Sequence, residues 1–376
     1  MKPAAMARLR DQIIANELSA ATRVSSSAVG AAEINNLARG ARADLYGAGP
    51  LQALIESPGV TDVLVNSADE VWVDQGAGLT RVDVHLGGEA RVRALAVRLA
   101  AAAGRRLDDA QPVCDARLAD GVRLHAVLPP LSPNGTTLSL RVPSPRVLSL
   151  DDLRACSMIT DRLFIFLKQL ISARISFLIS GATGTGKTTL LAAILGEIAA
   201  DERVIIIEES QELAPDHPHV VHLQTRGANV EGVGHVGLSD LVRHALRMRP
   251  DRIVLGECRG AEIRELLTAF NTGHEGGGAT LHANTLRDIP ARIAALGALA
   301  NMEQHAISAQ AVSAIDVVLH LRRGKGGRML SDVGILKSPQ PGQLQVTPAW
   351  HVTNEGIEKK LAGADELEAV IETRRA

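Results

Sequence analysis

Hydrophobic and polar positions along this chain follow two rhythms, a period of about two residues and one of about 3.6, which separate predicted strands from predicted helices. Over residues 89–103 the apolar positions Val92, Leu95, Ala96, Leu99 and Ala102 recur at helical spacing, and a helix is predicted there. Before it, Pro50 opens a short helix over 51–57, residues 61–66 read as a strand, and Val71, Trp72 and Val73 form another short apolar run. After it, 116–127 and 136–141 hold β-like segments flanking Pro129, Pro130, Pro133 and Gly135, a hairpin or crossover signal. Together these elements predict a small α/β domain over 41–142. Pro143 and Pro145 mark 143–149 as a linker, because a residue preceding proline is confined to extended conformations.

The pattern then changes. Helices are predicted over 150–156 and 160–172, a buried strand over 175–180, a helix over 187–199 and a second buried strand over 204–207. A helix over 239–248 and the β run Ile253, Val254, Leu255 follow. Such alternation predicts a largely parallel sheet covered by helices, assigned to 150–345. At the ends, the Ala-rich, charged stretch 1–40 predicts a helical arm, and 346–376 a carboxyl-terminal tail whose last part, 362–376, is a charged helix or tail.

With 376 residues, 46% hydrophobic and 22% charged, the chain has a globular composition and room for two domains. Aromatic residues make up 2% and the net charge is -2, which argues against a stacking platform or a basic groove for nucleic acid. A nucleic-acid motor is therefore the weaker alternative, beside a nonenzymatic assembly protein that uses ATP only to stabilise a ring. Cys114, Cys156 and Cys258 lack framework spacing and read as inert cysteines in a reducing compartment. Residues 1–20 lack the apolar run of a signal peptide, and Lys168, Ser172 and Arg174 interrupt the apolar stretch 163–180. A cytoplasmic protein that reaches the membrane through partners is expected.

Candidate chemistry centres on Gly181-Ala182-Thr183-Gly184-Thr185-Gly186-Lys187-Thr188, a complete phosphate-loop pattern between a predicted strand and a predicted helix continued by Thr189. Small residues let backbone amides converge on phosphate oxygens, and the helix dipole favours the anion. Lys187 is expected to neutralise the β- and γ-phosphates of ATP, and the Thr188 hydroxyl to ligate Mg. A dinucleotide fingerprint fits less well, because the glycine spacing is wrong and Lys187 would have no role. Glu208, Glu209 and Glu212 follow one predicted strand and Glu257 another, so these carboxylates are expected in the crevice at the strand ends. His282 follows the apparent strand Ala279-Thr280-Leu281, behind Gly273, Gly276, Gly277 and Gly278, which are read as permitting close backbone approach and a movable loop. His217, His219 and His222 lack a cysteine and straddle strand faces, so zinc is not favoured. Arg226, Arg243, Arg247, Arg249, Arg252 and Arg259 cluster around the two acidic strands, and one of them reaching the γ-phosphate in cis or from a neighbouring subunit is expected.

These motifs resemble those of the type II and type IV secretion ATPase superfamily, most closely its tight-adherence and Flp pilus branch (CpaF/TadA). The resemblance runs over about 50–330 and rests on the phosphate loop, Ile207-Glu208-Glu209-Ser210-Gln211-Glu212-Leu213, Leu246-Arg247-Met248-Arg249-Pro250-Asp251-Arg252, Gly256-Glu257-Cys258-Arg259-Gly260, and Asn271-Thr272-Gly273-His274-Glu275 through Thr280-Leu281-His282-Ala283-Asn284. It implies an α/β fold, a RecA-like P-loop NTPase domain preceded by a smaller α/β (PAS-like) domain, assembled as a hexamer and working with integral inner-membrane platform proteins. It implies further that Glu212 is the aspartate-box acid, Glu257 the water-activating Walker B glutamate and His282 the γ-phosphate sensor. Arg226 and Arg243 match arginines near the phosphates or the subunit boundary, and Arg141 matches an arginine of the last amino-terminal-domain strand that approaches nucleotide. Where the family usually has aspartate after the residue matched by Glu208, this chain has Glu209.

Overall fold

The computed structural model describes residues 42–43, 47–76, 78–143, 147–227, 233–324 and 327–375. The expected arm at 1–40 and residues 144–146 of the expected linker lie outside the described residues. Two units divide the chain, Met1–Pro145 and Arg146–Ala376.

The first unit contains α1 (Gln52–Ile55), β1 (Asp62–Ser67), β2 (Glu70–Asp74), β3 (Leu79–Val82), α2 (Glu89–Ala102), β4 (Val113–Arg117), β5 (Arg123–Val127) and β6 (Thr137–Arg141). Its strands form an antiparallel sheet in the order β3-β2-β1-β6-β5-β4. Alternation decides which face is buried. Val63 and Val65 of β1, Val71 and Val73 of β2, and Leu138 and Leu140 of β6 share one core with Val92, Leu95, Ala96 and Leu99 of α2. The Glu89 carboxylate fixes the start of α2 by accepting from Thr136 N (2.9 Å) and Thr136 Oγ1 (2.6 Å). Strand β3 was not foreseen: Leu79, Thr80 and Arg81 are exposed, so it carries no buried-face pattern.

The second unit runs α3 (Leu150–Ala155), α4 (Asp161–Ser172), β7 (Phe177–Gly181), α5 (Lys187–Leu195), β8 (Val204–Glu208), β9 (Val220–Gln224), α6 (Leu238–Ala245), β10 (Arg252–Leu255), α7 (Ile263–Asn271) and β11 (Gly278–Leu281). It continues through α8 (Ile289–Leu299), α9 (Gln304–Ala314), β12 (Val317–Gly324), β13 (Gly327–Gln340), β14 (Gln343–Val352), β15 (Glu358–Lys360) and α10 (Ala364–Arg375). The sheet order is β15-β14-β13-β12-β7-β11-β10-β8-β9. From β12 to β9 every pairing is parallel, and β13 to β15 extend the sheet antiparallel. The inner parallel strands β7, β8, β10 and β11 are buried on both faces, as helices above and below require. Phe177, Ile179, Val204, Ile206 and Val254 point into one core, while Leu178, Ile205, Ile207, Ile253 and Leu255 point into the other.

Two expectations give way here. Residues 346–376 are not a tail: β14 and β15 complete the sheet, and Ala349, Trp350, Val352, Leu367 and Ile371 lie in the first of these cores. Trp350 meets Phe166 edge-on, with ring centroids 4.6 Å apart. Nor do all of the glycines before His282 make a movable loop. A Cβ on Gly277 would stand 2.3 Å from the Phe270 ring and one on Gly278 2.5 Å from that of Phe177, so these two serve close packing.

Candidate functional site

Strand β7 is wholly buried and delivers the chain into the loop 182–186, from which α5 departs. Gly186 precedes α5 with φ 95°, a left-handed conformation that favours glycine, and no side chain caps the helix. The first amides of α5 are left to an outside acceptor, which at a helix N-terminus favours an anion. Lys187 Nζ donates to the carbonyls of Gly181 (2.8 Å) and Ala182 (3.0 Å), and the Thr185 hydroxyl donates to Ala182 O (2.8 Å). The loop therefore wraps around its own ammonium group. Burial pulls the Lys187 ammonium below its ordinary range, and Glu257 opposes that shift.

Parallel pairing brings the carboxylates to the same end of the sheet. Glu208 ends β8 buried, and its Oε1 accepts from Glu212 N (2.9 Å) and Leu213 N (3.0 Å), shaping the loop that carries Glu212. Gly256 lies against it, where a Cβ would come 2.6 Å from Glu208 Cγ, so the glycine before Glu257 lets the ends of β8 and β10 close up. Beyond β10, Cys258 N donates to Thr280 O (2.8 Å) and the Thr280 hydroxyl to Gly256 O (2.6 Å). These ties place Glu257 beside His282. Glu257 Oε2 pairs with Arg259 (2.7 Å), which also reaches Glu209 (3.1 Å) and so links the ends of both acidic strands. The buried Glu262 carboxylate accepts from the amides of Arg259 (2.6 Å) and Gly260 (2.8 Å) and fixes that turn.

His282 Nε2 stands 2.7 Å from Glu257 Oε1, and its Nδ1 lies 3.4 Å from Lys187 Nζ. The first contact is close without being aligned as a hydrogen bond, so Glu257 Oε1 is buried and unsatisfied. Burial, then the Lys187 charge, lowers the His282 pKa, which keeps the imidazole neutral at neutral pH. Burial also pushes the Cys258 thiol well above its ordinary value, leaving it a poor nucleophile.

The structure thus brings together Lys187, Glu257 and His282, with Glu212 close enough to act electrostatically on Lys187. Glu209 is exposed and joined through Arg259. Arg226 donates to Gly234 O (2.8 Å) beyond β9, and Arg243 pairs with Glu265 (3.2 Å) of α7 and Asp240 (3.4 Å) of α6. Arg252 is a buried brace, bonded to Glu202 (2.9 Å) and to the carbonyls of Ile171 and Gly276. Arg141 ends β6 in the first unit.

Sequence reading missed Asp288 and Arg292, which line a cleft of about 800 Å³ with Ala182, Thr183, His282 and Asn284. Their spacing on one helical turn was available as a signal, but nothing in the chain before them said which way that turn would face. It also missed His320. Register sets His320 of β12 against Ser180 of β7, where Nδ1 is 2.9 Å from the Ser180 hydroxyl.

ATP with Mg fits these residues. The orphaned Glu257 Oε1 marks a place for a polar group between the loop and His282. The Thr188 hydroxyl makes no hydrogen bond to another described residue. Magnesium keeps several waters and phosphate ligands and asks for few side chains.

Comparisons with known proteins give the family and the fold. The chain is 48% identical over 331 residues to a putative conjugal transfer protein of Mycobacterium tuberculosis (strain ATCC 25618 / H37Rv), covering 86% of this chain and 94% of that one. It is 30% identical over 317 residues to VirB11, a type IV secretion system protein of Brucella suis biovar 1, covering 76% and 88%. The solved pilus retraction motor PilT with bound ADP matches with a TM-score of 0.53 at 18% identity, over 84% of this chain and 83% of that one. That likeness shows the fold, α/β with a RecA-like nucleotide-binding sheet flanked by helices. Since the model of the Type II/IV secretion system protein family matches residues 44–330, the chain belongs to that family.

Proposed function

We propose that this chain is a Mg-dependent ATPase, converting ATP and water to ADP and phosphate, whose turnover drives a secretion or pilus machine. The observation that carries this reading is the convergence of Lys187, His282 and the unsatisfied Glu257 carboxylate at an uncapped helix N-terminus. Thr188 and the loop amides would hold the triphosphate and Mg, with Glu208, Glu209 and Glu212 acting on the ion partly through water; bound there, Mg neutralises charge on the β- and γ-phosphates. Glu257 takes a proton from the water attacking the γ-phosphorus as the bond to the bridging oxygen breaks. Neutral His282 donates to the γ-phosphate and loses that contact when phosphate leaves.

Family membership and similarity to conjugal transfer and VirB11 proteins support a motor in macromolecular transfer. Within the family we assign the chain to the tight-adherence and Flp pilus branch, acting as a cytoplasmic hexamer on integral inner-membrane platform proteins. In this reading the first unit is a PAS-like domain, Arg141 approaches nucleotide from it, and the exposed Arg226 and Arg243 serve the boundary with a neighbouring subunit. The test is Mg-ATP turnover per subunit against protein concentration, with oligomer size followed in parallel. Turnover that rises as rings form supports this assembly, and full turnover by a strict monomer contradicts it.

A further inference from the structure

Arg292 differs from Arg243, Arg252 and Arg259 of the same unit. Arg259 is neutralised by Glu209 and Glu257, Arg243 by Glu265 and Asp240, and Arg252 by Glu202. Arg292, half-buried on α8, makes no hydrogen bond or ion pair with any described residue, and its Nε is buried without a partner. Asp288, one turn earlier on the same side, is spent on its own turn, accepting from the Thr285 amide and hydroxyl (2.9 Å each). A buried guanidinium N–H without an acceptor is costly unless a partner meets it. Its planar fork is the geometry that binds phosphate oxygens.

The cleft it faces says which anion. One wall is Ala182 and Thr183 of the phosphate loop, another is His282 and Asn284, and the remaining lining is mostly alanine, with no aromatic surface to hold a base. We propose that Arg292 meets the terminal phosphate of ATP in cis, across the cleft from the phosphate loop, and so makes the site prefer ATP over ADP. This rests on the reading that the loop binds Mg-ATP. It gives the cis charge to a residue of the nucleotide's own unit, and leaves Arg226 and Arg243 to the surface. Burial lowers the His282 pKa most, then Lys187 and Arg259, and Arg292 adds to them from the cleft.

The experiment is equilibrium binding of fluorescent ADP and of a fluorescent non-hydrolysable ATP analogue, with Mg, to the full chain and to Arg292→Ala, Arg292→Gln and Arg292→Lys. Loss of a charge-assisted contact predicts about a tenfold to hundredfold weaker affinity for the ATP analogue in the Ala and Gln variants, with ADP affinity kept and Lys restoring part of it. Arg292→Gln keeps the bulk of the side chain, and an unfolding midpoint measured beside the binding separates loosening of α8 from loss of the contact. Equal losses for both nucleotides, or an unchanged preference for the analogue, overturn the proposal while the nucleotide site stands. A wild-type chain that binds neither nucleotide overturns the underlying reading and this inference with it.

Discussion

Nε2 of His282 lies 2.7 Å from Oε1 of Glu257. The two residues come from neighbouring parallel strands, β11 and β10, and the tie from Thr280 to Gly256 sets their spacing. The carboxylate proposed to activate water thus stands beside an imidazole that also lies 3.4 Å from Lys187 Nζ. His282→Ala is expected to lower kcat by about 10²- to 10³-fold, the usual loss for a donor aimed at developing charge, and to leave ADP affinity unchanged. Steady-state kinetics and ADP binding on the same preparation check both halves.

His320 ties the strand before the phosphate loop to the rest of the sheet and is 4% exposed. Burial lowers its pKa most, and Lys187 adds to this, while Asp332, the Asn284 backbone and Asp288 oppose it. With a folded-state value below the unfolded one, the unfolded chain takes up the proton first as pH falls. Stability from this source is therefore complete above about pH 6.5 and is lost as pH falls through the folded pKa, at no more than about 1.4 kcal/mol per pH unit. Urea midpoints should fall across that acid window in the wild type and fall less in His320→Gln; parallel profiles would remove His320 from the account.

Arg252 is 2% exposed and carries both the Glu202 pair and two backbone carbonyls. Arg252→Ala takes a donor from the buried Ile171 and Gly276 carbonyls and leaves Glu202 paired with Arg174 alone, and is expected to cost about 1–3 kcal/mol of stability. Arg252→Met, which keeps the volume but donates to neither carbonyl nor Glu202, should remain below wild type in denaturant unfolding.

Trp350 shows what the sequence did and did not make legible. The phosphate loop, the order of the acidic strands and the helix of the first unit could be read locally, because Lys187 and Thr188 follow a fixed motif and Val92, Leu95 and Leu99 keep a clear period. The end of the chain could not. In β14 only Val346, Ala349, Trp350 and Val352 are buried, and Pro348 interrupts the pattern, so its place beside β13 rests on long-range pairing. The same reason hid His320 opposite Ser180, and the exposed side chains of β3 hid that strand. Arginine clustering in sequence included Arg259, which folding sets against Glu257, but gave no sign of Arg292, which folding brings to the cleft beside His282.

Removing residues 346–376 should accordingly leave an aggregation-prone or unfolded second unit rather than a trimmed one. The milder Trp350→Ala deletes the ring packed on Phe166 and is expected to cost about 3–5 kcal/mol. Circular dichroism melting of both proteins tests this, and a truncated chain as stable as the full one would restore the tail.

The central claim is that Glu257 and Lys187 perform ATP hydrolysis at the phosphate loop. The direct measurement is Mg-ATP turnover and ATP binding on wild type, Glu257→Gln and Lys187→Ala under conditions where the wild type is assembled. The account predicts that Glu257→Gln binds ATP normally but turns over about 10²- to 10⁴-fold more slowly, the range for loss of a general base, while Lys187→Ala loses binding as well. Turnover in Glu257→Gln equal to that of the wild type would contradict it.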